Sequence, residues 1–275
     1  MKSELHCHST CSDGSLAPAE VAARAGRYGV ELFCLTDHDS VNGYAATRAL
    51  LPSSVRVLKG LELSTVEHGK TVHLLCYGLD DGEGCTALEA KLAELRAQRG
   101  DRLRQIVDRL RTMGVILDAD LILEARHGET PGRPHVAQAL VEAGAVRTFQ
   151  EAFERYLGDD KPAYVPTQSL SVGDGLAWAR AAGAKVSLAH PHTLNNFGRV
   201  KALFRQHRDA GLEGIEGWYG KYGPAQREPW LRLAKDLDLV VTGGSDFHGA
   251  PVPTVVRPGI DLPDAVAQSV LQWLA

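Results

Sequence analysis

Apolar positions follow two rhythms along the chain. Short apolar runs of strand character recur at "ELHCH", "ELFCLTD", "VRVLKGLELSTV", "TVHLLCYGL", "AKVSLAH", "LEGIEG" and "DLVVTGG". Between them lie segments whose apolar residues return every three or four positions, as one buried helix face requires; these cover 18–28, 175–182, 199–210 and 225–237. Pro18 suits a first helical turn and Gly29 a stop. "EHGK" joins the third and fourth runs as a hairpin turn. Strand and helix in alternation, with apolar strands, predict a parallel-rich α/β barrel or sheet.

The stretch 86–157 breaks this alternation and reads as helix throughout. Leu88, Leu92, Leu95, Leu103, Ile106, Val107 and Leu110 stripe one face of 86–113, with shorter helices near 118–126, 134–143 and 149–157. The expected organisation is an α/β domain of residues 1–85 and 160–275, with a helical insertion, 86–159, expected to cover one rim of it. Along 86–113 seven basic and four acidic residues interleave, which marks a solvated face more than an RNA-binding arm.

Composition narrows the class. A chain of 275 residues sustains one large domain with an insertion. Its net charge of −4 gives no global attraction to polyanions. No apolar run approaches the ~20 residues that span a bilayer, and the start lacks a secretion pattern. Five cysteines, an odd number with no C-x-x-C, are expected to be reduced thiols in a cytoplasmic protein.

Candidate chemistry gathers where the apolar runs end. His6 and His8 stand two apart, so one strand presents both imidazoles on one face while Cys7 points away. Asp13-Gly14 follows at once. "CLTDHDS" ends in Asp37, His38 and Asp39; "LKGLELS" carries Glu62; "TVHLL" carries His73; "SLAHPH" ends at His190; "VTGGSDFH" brings Asp246 and His248. A turn centred near His68-Gly69 puts Glu62 and His73 on a shared face as direct or diagonal neighbours. Strand ends cluster at one rim of α/β folds, so these groups are expected to converge as a multinuclear metal site. His68, His127 and His207 lie off the strand ends and are expected on the surface.

Taken in order, E-L-H-x-H, S-D-G, T-D-H-D, a glutamate, a strand histidine, A-H-P and S-D-F-H resemble the PHP (polymerase and histidinol phosphatase) family over residues 3–77 and 162–249. The resemblance implies a distorted seven-stranded β/α barrel holding up to three divalent metals. It implies a first metal on His6, His8, Glu62 and Asp246, and a second on Glu62, His73 and His190. Asp13, His38 and His248 would hold the third; all nine groups can ligate hard or borderline cations. Glu4 stands where the family has Asp, and is expected behind the ligands. Asp37 and Asp39 are expected there too, with an Asx turn or helix cap as the alternative. "GRPHVA", "FERYLG" and "KPAYVP" resemble the small stand-alone members, which include nucleoside 3′,5′-bisphosphate phosphatases and 5′→3′ exoribonucleases.

The expected activity is that of a metal-dependent phosphoesterase, a phosphatase or exonuclease. Its substrates would be phosphate monoesters or 5′-terminal phosphodiesters of nucleotides or short RNA. Two to three cations, Mn²⁺ first with Fe²⁺ or Zn²⁺ as alternatives, lower the pKa of a bridging water toward ~7. A hydroxide bridging them is then the expected nucleophile. "GGS" before Asp246 lacks G-x-S-x-G, so no serine mechanism is expected. Arg133 and His135, beside Pro134 at a helix start, and Lys161 are the candidate phosphate-binding residues; a surface salt bridge is the alternative for Arg133. His192 is a candidate catalytic group, and His248 and Asp246 are further candidates to protonate the leaving oxygen. Amidohydrolase-type C–N hydrolysis is the alternative reaction, disfavoured because Glu62 stands where such sites place a carboxylated lysine. A non-catalytic PHP module is disfavoured because no ligand position is missing. Neither a membrane nor an obligate protein partner is expected.

Overall fold

A computed structural model describes residues 1–125, 131–158, 161–166 and 170–275. The chain divides into two compact units, Met1–Ala90 with Ser169–Ala275, and Lys91–Gln168.

The apolar runs of the first unit become two sheets. β1 (Lys2–Glu4), β2 (Leu32–Cys34), β3 (Arg56–Leu58) and β9 (Ile260–Asp261) form one, in the order β3-β2-β1-β9. β4 (Gly60–Glu67), β5 (Lys70–Tyr77), β6 (Lys185–Leu188), β7 (Leu212–Glu216) and β8 (Val240–Thr242) form the other, paired in sequence order. Pairing is parallel between β1, β2 and β3 and between β6, β7 and β8; it is antiparallel at β1–β9, β4–β5 and β5–β6. Isolated parallel bridges from Cys7 to Phe247 and from His38 to Glu62 link chain leaving the first sheet to chain of the second.

The run 55–66, expected as one strand, breaks into β3 and β4, which belong to different sheets. Gly60 explains the break: a Cβ there would lie 2.4 Å from Cys34 Sγ and 2.4 Å from the Cys76 carbonyl oxygen. The chain crosses between sheets where no side chain fits. The hairpin turn falls on His68-Gly69 as expected, with φ of 47° and 73°. Two successive positive φ values match the twist of the flanking strands.

Helices α1 (Pro18–Tyr28), α7 (Val172–Ala181), α8 (Phe197–His207) and α9 (Pro224–Leu237) occupy the expected segments. α2 (Tyr44–Leu50), α10 (Asp264–Trp273) and β9 lie where no element was expected. α1 buries Val21, Ala22 and Ala25 against Phe33, Leu35 and Phe247. His207, expected on the surface, is buried with Nε2 3.1 Å from Glu67 Oε1. The α8 periodicity puts His207 on the same face as Val200, Leu203 and Phe204, all buried. His127 lies outside the described residues.

α3 (Glu83–Thr112) begins in the first unit and continues into the second, ending before Gly114 at φ 81°. α4 (Ala119–Ala125), α5 (Arg133–Glu142) and α6 (Phe149–Ala152) follow, α6 running into a π-helical turn over Phe153–Leu157. Leu103, Ile106, Val107 and Leu110 of α3 pack with Val136, Ala137 and Leu140 of α5 and with Leu157. Thr148 caps α6 by accepting from the Glu151 N–H at 3.1 Å, and Glu151 Oε2 accepts in turn from the Arg147 N–H at 2.8 Å. The five cysteines are free thiols, and all but Cys11 are buried.

Candidate metal centre

β1 stops at Glu4, but the chain stays extended enough for alternation to persist. Leu5 and Cys7 enter the apolar core while His6 and His8 take the other side, all four fully buried. Two glycines permit the close packing here. A Cβ on Gly244 would fall 2.4 Å from the His6 nitrogen, and one on Gly14 would fall 2.6 Å from the His8 carbonyl oxygen. Asp13-Gly14 is therefore the turn that folds back against His8.

The hairpin register pairs Ser64 with His73 and Glu62 with Leu75. Glu62 and His73 are thus diagonal neighbours on one face, and Glu62 Oε1 lies 2.9 Å from His73 Nδ1. Past β2, β6 and β8, Asp39, His190 and Asp246 carry φ of 50°, 25° and 54°. Positive φ is uncommon outside glycine, and strained backbone clusters at functional sites.

Five imidazoles surround the Glu62 carboxylate. Oε1 also meets His190 Nε2 at 2.9 Å; Oε2 meets His6 Nε2 at 3.2 Å, His8 Nε2 at 3.1 Å and His38 Nδ1 at 3.4 Å. Asp246 Oδ1 lies 3.4 Å from His6 Nε2 and 3.5 Å from both His8 Nε2 and His248 Nδ1. Asp13 closes the far side, at 3.3 Å from His8 Nδ1, 3.4 Å from His248 Nε2 and 3.7 Å from His38 Nε2. Asp13 is 41% exposed against 1% for Glu62, so the site is open at its Asp13 edge. All nine expected positions come together.

Grouped by mutual reach, the donors form four sets: His8, Asp13, His38 and His248; His6, His8 and Asp246; His6, Glu62 and His190; His38, Glu62 and His73. The first contains the expected third-metal residues with His8 added. His73 and His190, expected to share one metal, fall in separate sets joined by Glu62.

Charge is strongly redistributed within the cluster. Burial opposes a charged Glu62, yet His38, His6 and His73 hold its carboxyl well below the ordinary range. Burial likewise opposes a charged His8, but Asp246 and Glu62 push it up to about 10. His38 moves the other way, to about 4, lowered by burial and by the neighbouring His8 and His73 against the pull of Glu62.

Whether this donor set fits cations is answered by its unsatisfied atoms. His8 Nε2, His38 Nδ1 and His73 Nδ1 are buried without a hydrogen-bond partner among the described residues. Each lies within 3.4 Å of a Glu62 oxygen but outside hydrogen-bond geometry. Buried nitrogens are rarely left so. Several lone pairs converging on a shared carboxylate is what a cation-binding set requires. The residues fit.

Supporting groups lie behind the donors. Asp37 accepts from the Ser9 N–H and Ser9 Oγ–H at 2.7 Å each and from Ser12 Oγ–H at 2.6 Å, fixing the loop after His8. Asp39 Oδ1 accepts from the Ser64 N–H at 2.8 Å. Glu4 Oε1 accepts from the His6 N–H at 2.9 Å and the Ser245 N–H at 3.0 Å, tying β1 to the β8 exit.

The end of β7 and the loop that follows, "EGWYGKY", supply site residues that were not expected from the sequence. Glu216, fully buried, holds His6 Nδ1 at 2.8 Å through Oε1 and the His190 N–H at 2.7 Å through Oε2. A carboxylate only accepts, so His6 carries its proton on Nδ1 and turns Nε2 toward Glu62. Asp246 Oδ2 accepts from Tyr219 Oη–H at 2.6 Å and from Lys221 Nζ at 2.7 Å. Tyr222 Oη lies 2.7 Å from His192 Nδ1. Glu216 shares the strand-end signal of the other carboxylates, since it is the last residue of β7; the tyrosines and Lys221 carry no such mark.

Among the candidate phosphate-binding residues, Arg133 donates to the Leu157 carbonyl at 3.0 Å and its guanidinium lies 5.4 Å from the Tyr164 ring. His135 Nδ1 accepts from the Gly132 N–H at 3.0 Å, so it caps α5. Lys161 is exposed. All three belong to the helical unit.

Known proteins resemble this chain along most of its length. The profile of a family described as "PHP domain" matches residues 4–113. A "5'-3' exoribonuclease" of Haemophilus influenzae is 33% identical over 96% of this chain and 96% of its own length. A "3',5'-nucleoside bisphosphate phosphatase" of Chromobacterium violaceum is 34% identical over 89% of this chain and 86% of its own. Among solved structures, an amidohydrolase from Chromobacterium violaceum with bound sulfate and no metal is 32% identical, with a TM-score of 0.75. That match covers 97% of this chain and 96% of that one. No helix among the described residues is long and apolar enough to cross a membrane.

Proposed function

Because the chain belongs to the PHP domain family, we propose that it is a metal-dependent phosphoesterase of nucleotides or short RNA. Its substrates in this reading are nucleoside 3′,5′-bisphosphates or 5′-phosphorylated RNA ends. The observation that carries the proposal is the clustering of five imidazoles on Glu62, three with buried, unpartnered nitrogens.

His6, His8, Asp13, His38, Glu62, His73, His190, Asp246 and His248 are the proposed ligands of two or three divalent cations. We place Mn²⁺ first, and read the two sheets as one distorted barrel. Bound there, such cations activate water and offset charge on phosphoryl oxygens. The chain's own groups prepare the site. Glu216 fixes the His6 tautomer, Asp37 holds the loop carrying Asp13, and Lys221 balances Asp246. His192, anchored by Tyr222, is the proposed donor to the leaving oxygen. Arg133, His135 and Lys161 are carried as phosphate-binding residues on their residue types alone. The free cysteines support a cytoplasmic setting.

A C–N hydrolase reading draws on the name of the Chromobacterium structure. Glu62, standing where such sites place a carboxylated lysine, favours phosphoesters instead.

The test is phosphate or mononucleotide release from adenosine 3′,5′-bisphosphate and 5′-phosphorylated oligoribonucleotides with Mn²⁺. Release is expected for the wild type and abolished in His8→Ala; full activity in that variant overturns the site. His192→Ala should slow esters of poor leaving groups more than those of good ones.

A further inference from the structure

His190 and His192 stand close together where the chain leaves β6, and their hydrogen bonds give them opposite tautomers. Thr193 Oγ1–H donates to the His190 carbonyl at 3.1 Å, so the 3.2 Å contact between Thr193 Oγ1 and His190 Nδ1 carries its hydrogen on the ring. That leaves Nε2, 2.9 Å from Glu62 Oε1, as the His190 nitrogen that would take a cation.

At His192 the arrangement is reversed. Tyr222 Oη lies 2.7 Å from His192 Nδ1. The same oxygen accepts from the His192 backbone N–H at 3.3 Å and from the indole N–H of Trp230. A hydroxyl oxygen has one hydrogen to give and two lone pairs to accept with. Both lone pairs are engaged, so the Tyr222 hydrogen is the one that bridges to Nδ1, and Nδ1 accepts. The ring proton of His192 then sits on Nε2. A doubly protonated ring would aim Nδ1–H at an oxygen that already accepts twice. Phe197 stacks on the buried Trp230, with ring centroids 5.7 Å and planes 25° apart, which holds the indole in place.

His192 itself is exposed, and its Nε2 has no hydrogen-bond partner among the described residues. Its ring centroid lies 6.3 Å from that of His190 and 5.4 Å from that of Tyr219, which donates to Asp246. A fixed N–H therefore stands beside the donor cluster and open to solvent.

We propose that Tyr222 and Trp230 are positioning residues that hold His192 as its neutral Nε2–H tautomer, so that it donates a hydrogen bond to the leaving oxygen and keeps its proton. The inference rests on the phosphoesterase reading and specifies what His192 supplies there. Charge building on the leaving oxygen meets an oriented N–H, and that oxygen takes its proton from water.

Nitrogen-15 NMR of the whole chain, loaded with diamagnetic Zn²⁺ near neutral pH, reads the form of each ring. His192 is expected as the neutral Nε2–H tautomer. Tyr222→Phe should leave its two tautomers mixed. Trp230→Phe, which frees one lone pair on Tyr222 but spares the hydroxyl, should shift the ring partway. Metal content should stay at the wild-type level in both. With Mn²⁺, Tyr222→Phe should slow phosphate release from adenosine 3′,5′-bisphosphate, an alkyl ester, about tenfold, and from p-nitrophenyl phosphate about twofold or less. His192→Gln, whose amide donates but is no acid, should stay within about tenfold of the wild type on the alkyl ester, against about a hundredfold loss in His192→Ala. The proposal is overturned if wild-type His192 is the Nδ1–H or the doubly protonated form. It is also overturned if neither Tyr222→Phe nor Trp230→Phe moves the His192 signals, or if His192→Gln is as slow as His192→Ala. If the tautomer is as expected but the wild type releases no phosphate from any ester, the phosphoesterase reading fails and the positioning by Tyr222 stands. Phosphate release with His192 in the Nδ1–H form is the reverse case.

Discussion

In residues 91–168 no polar or charged side chain is buried among the described residues; Leu103, Ile106, Val107, Leu110, Val136 and Leu140 fill the interior. In the other unit Glu4, His6, His8, Asp37, Glu62, Glu216 and Asp246 are all buried, next to apolar clusters around Phe33 and Leu75. Apolar burial stabilises in proportion to area and needs no partner. Buried charge lowers stability unless each group is paired. The helical unit is therefore built as a packing solution. The sheet unit holds a cluster that is costly as polypeptide alone and favourable once cations join it. Such an arrangement points to function, since folding alone does not require it.

That contrast is open to direct attack. The largest effect is expected from Glu62→Gln, which removes the charge shared by five imidazoles. Activity should fall about a thousandfold or more, and bound manganese, read by elemental analysis, should drop below wild type. Near-normal metal content would sink the central role given to Glu62.

Leu140→Ala attacks the other side. Deleting a buried side chain from the helical core should destabilise by about 2–5 kcal/mol in denaturant titration, with metal stoichiometry kept. Metal loss in step with that destabilisation would mean the two interiors are not energetically separate.

Glu216→Gln sharpens the comparison, because it touches the sheet unit without removing a donor. Losing the carboxylate that orients His6 should weaken manganese binding by about 10–100-fold. The ring-nitrogen NMR shifts of His6 should also report loss of the fixed Nδ1–H tautomer, which a merely structural role would not move.

The smallest effect is a pH dependence confined to metal-free protein. His8 is raised in the folded state from 6.5 to about 10, so its contribution is complete below about 6.5 and is lost as pH rises toward 10. His38 is lowered from 6.5 to about 4, so its contribution is complete above about 6.5 and is lost as pH falls toward 4. Together they place the highest melting temperature of chelator-treated protein near pH 6.5. Manganese competes with protons for the same nitrogens, so the decline above that pH should shrink in loaded protein. Identical pH profiles with and without chelator would contradict this.

Local pattern carried much of the structure. The i, i+2 spacing of His6 and His8, the hairpin around His68-Gly69 and the helix over 18–28 are short-range features. His38, His190 and Asp246 follow strand ends as expected, whereas Glu62 and His73 lie within β4 and β5; the fold brings all of them within reach of one another. Elements with weaker local signals escaped: α2, α10 and two-residue β9, which is a strand only because it pairs with Lys2 and Ser3.

By itself, then, the sequence determined which residues could meet a cation, because side-chain direction along a strand repeats every two residues. Tertiary structure alone decided what stands behind and beside them. Glu216 reaches His6 across 210 positions of chain, and Lys221 reaches Asp246 because the β7 loop lies next to the β8 exit. The break at Gly60 and the choice of Glu67 as the partner of His207 have the same origin. Each depends on which strands and helices become neighbours, and that is set by the packing of the whole unit, beyond the reach of any local period.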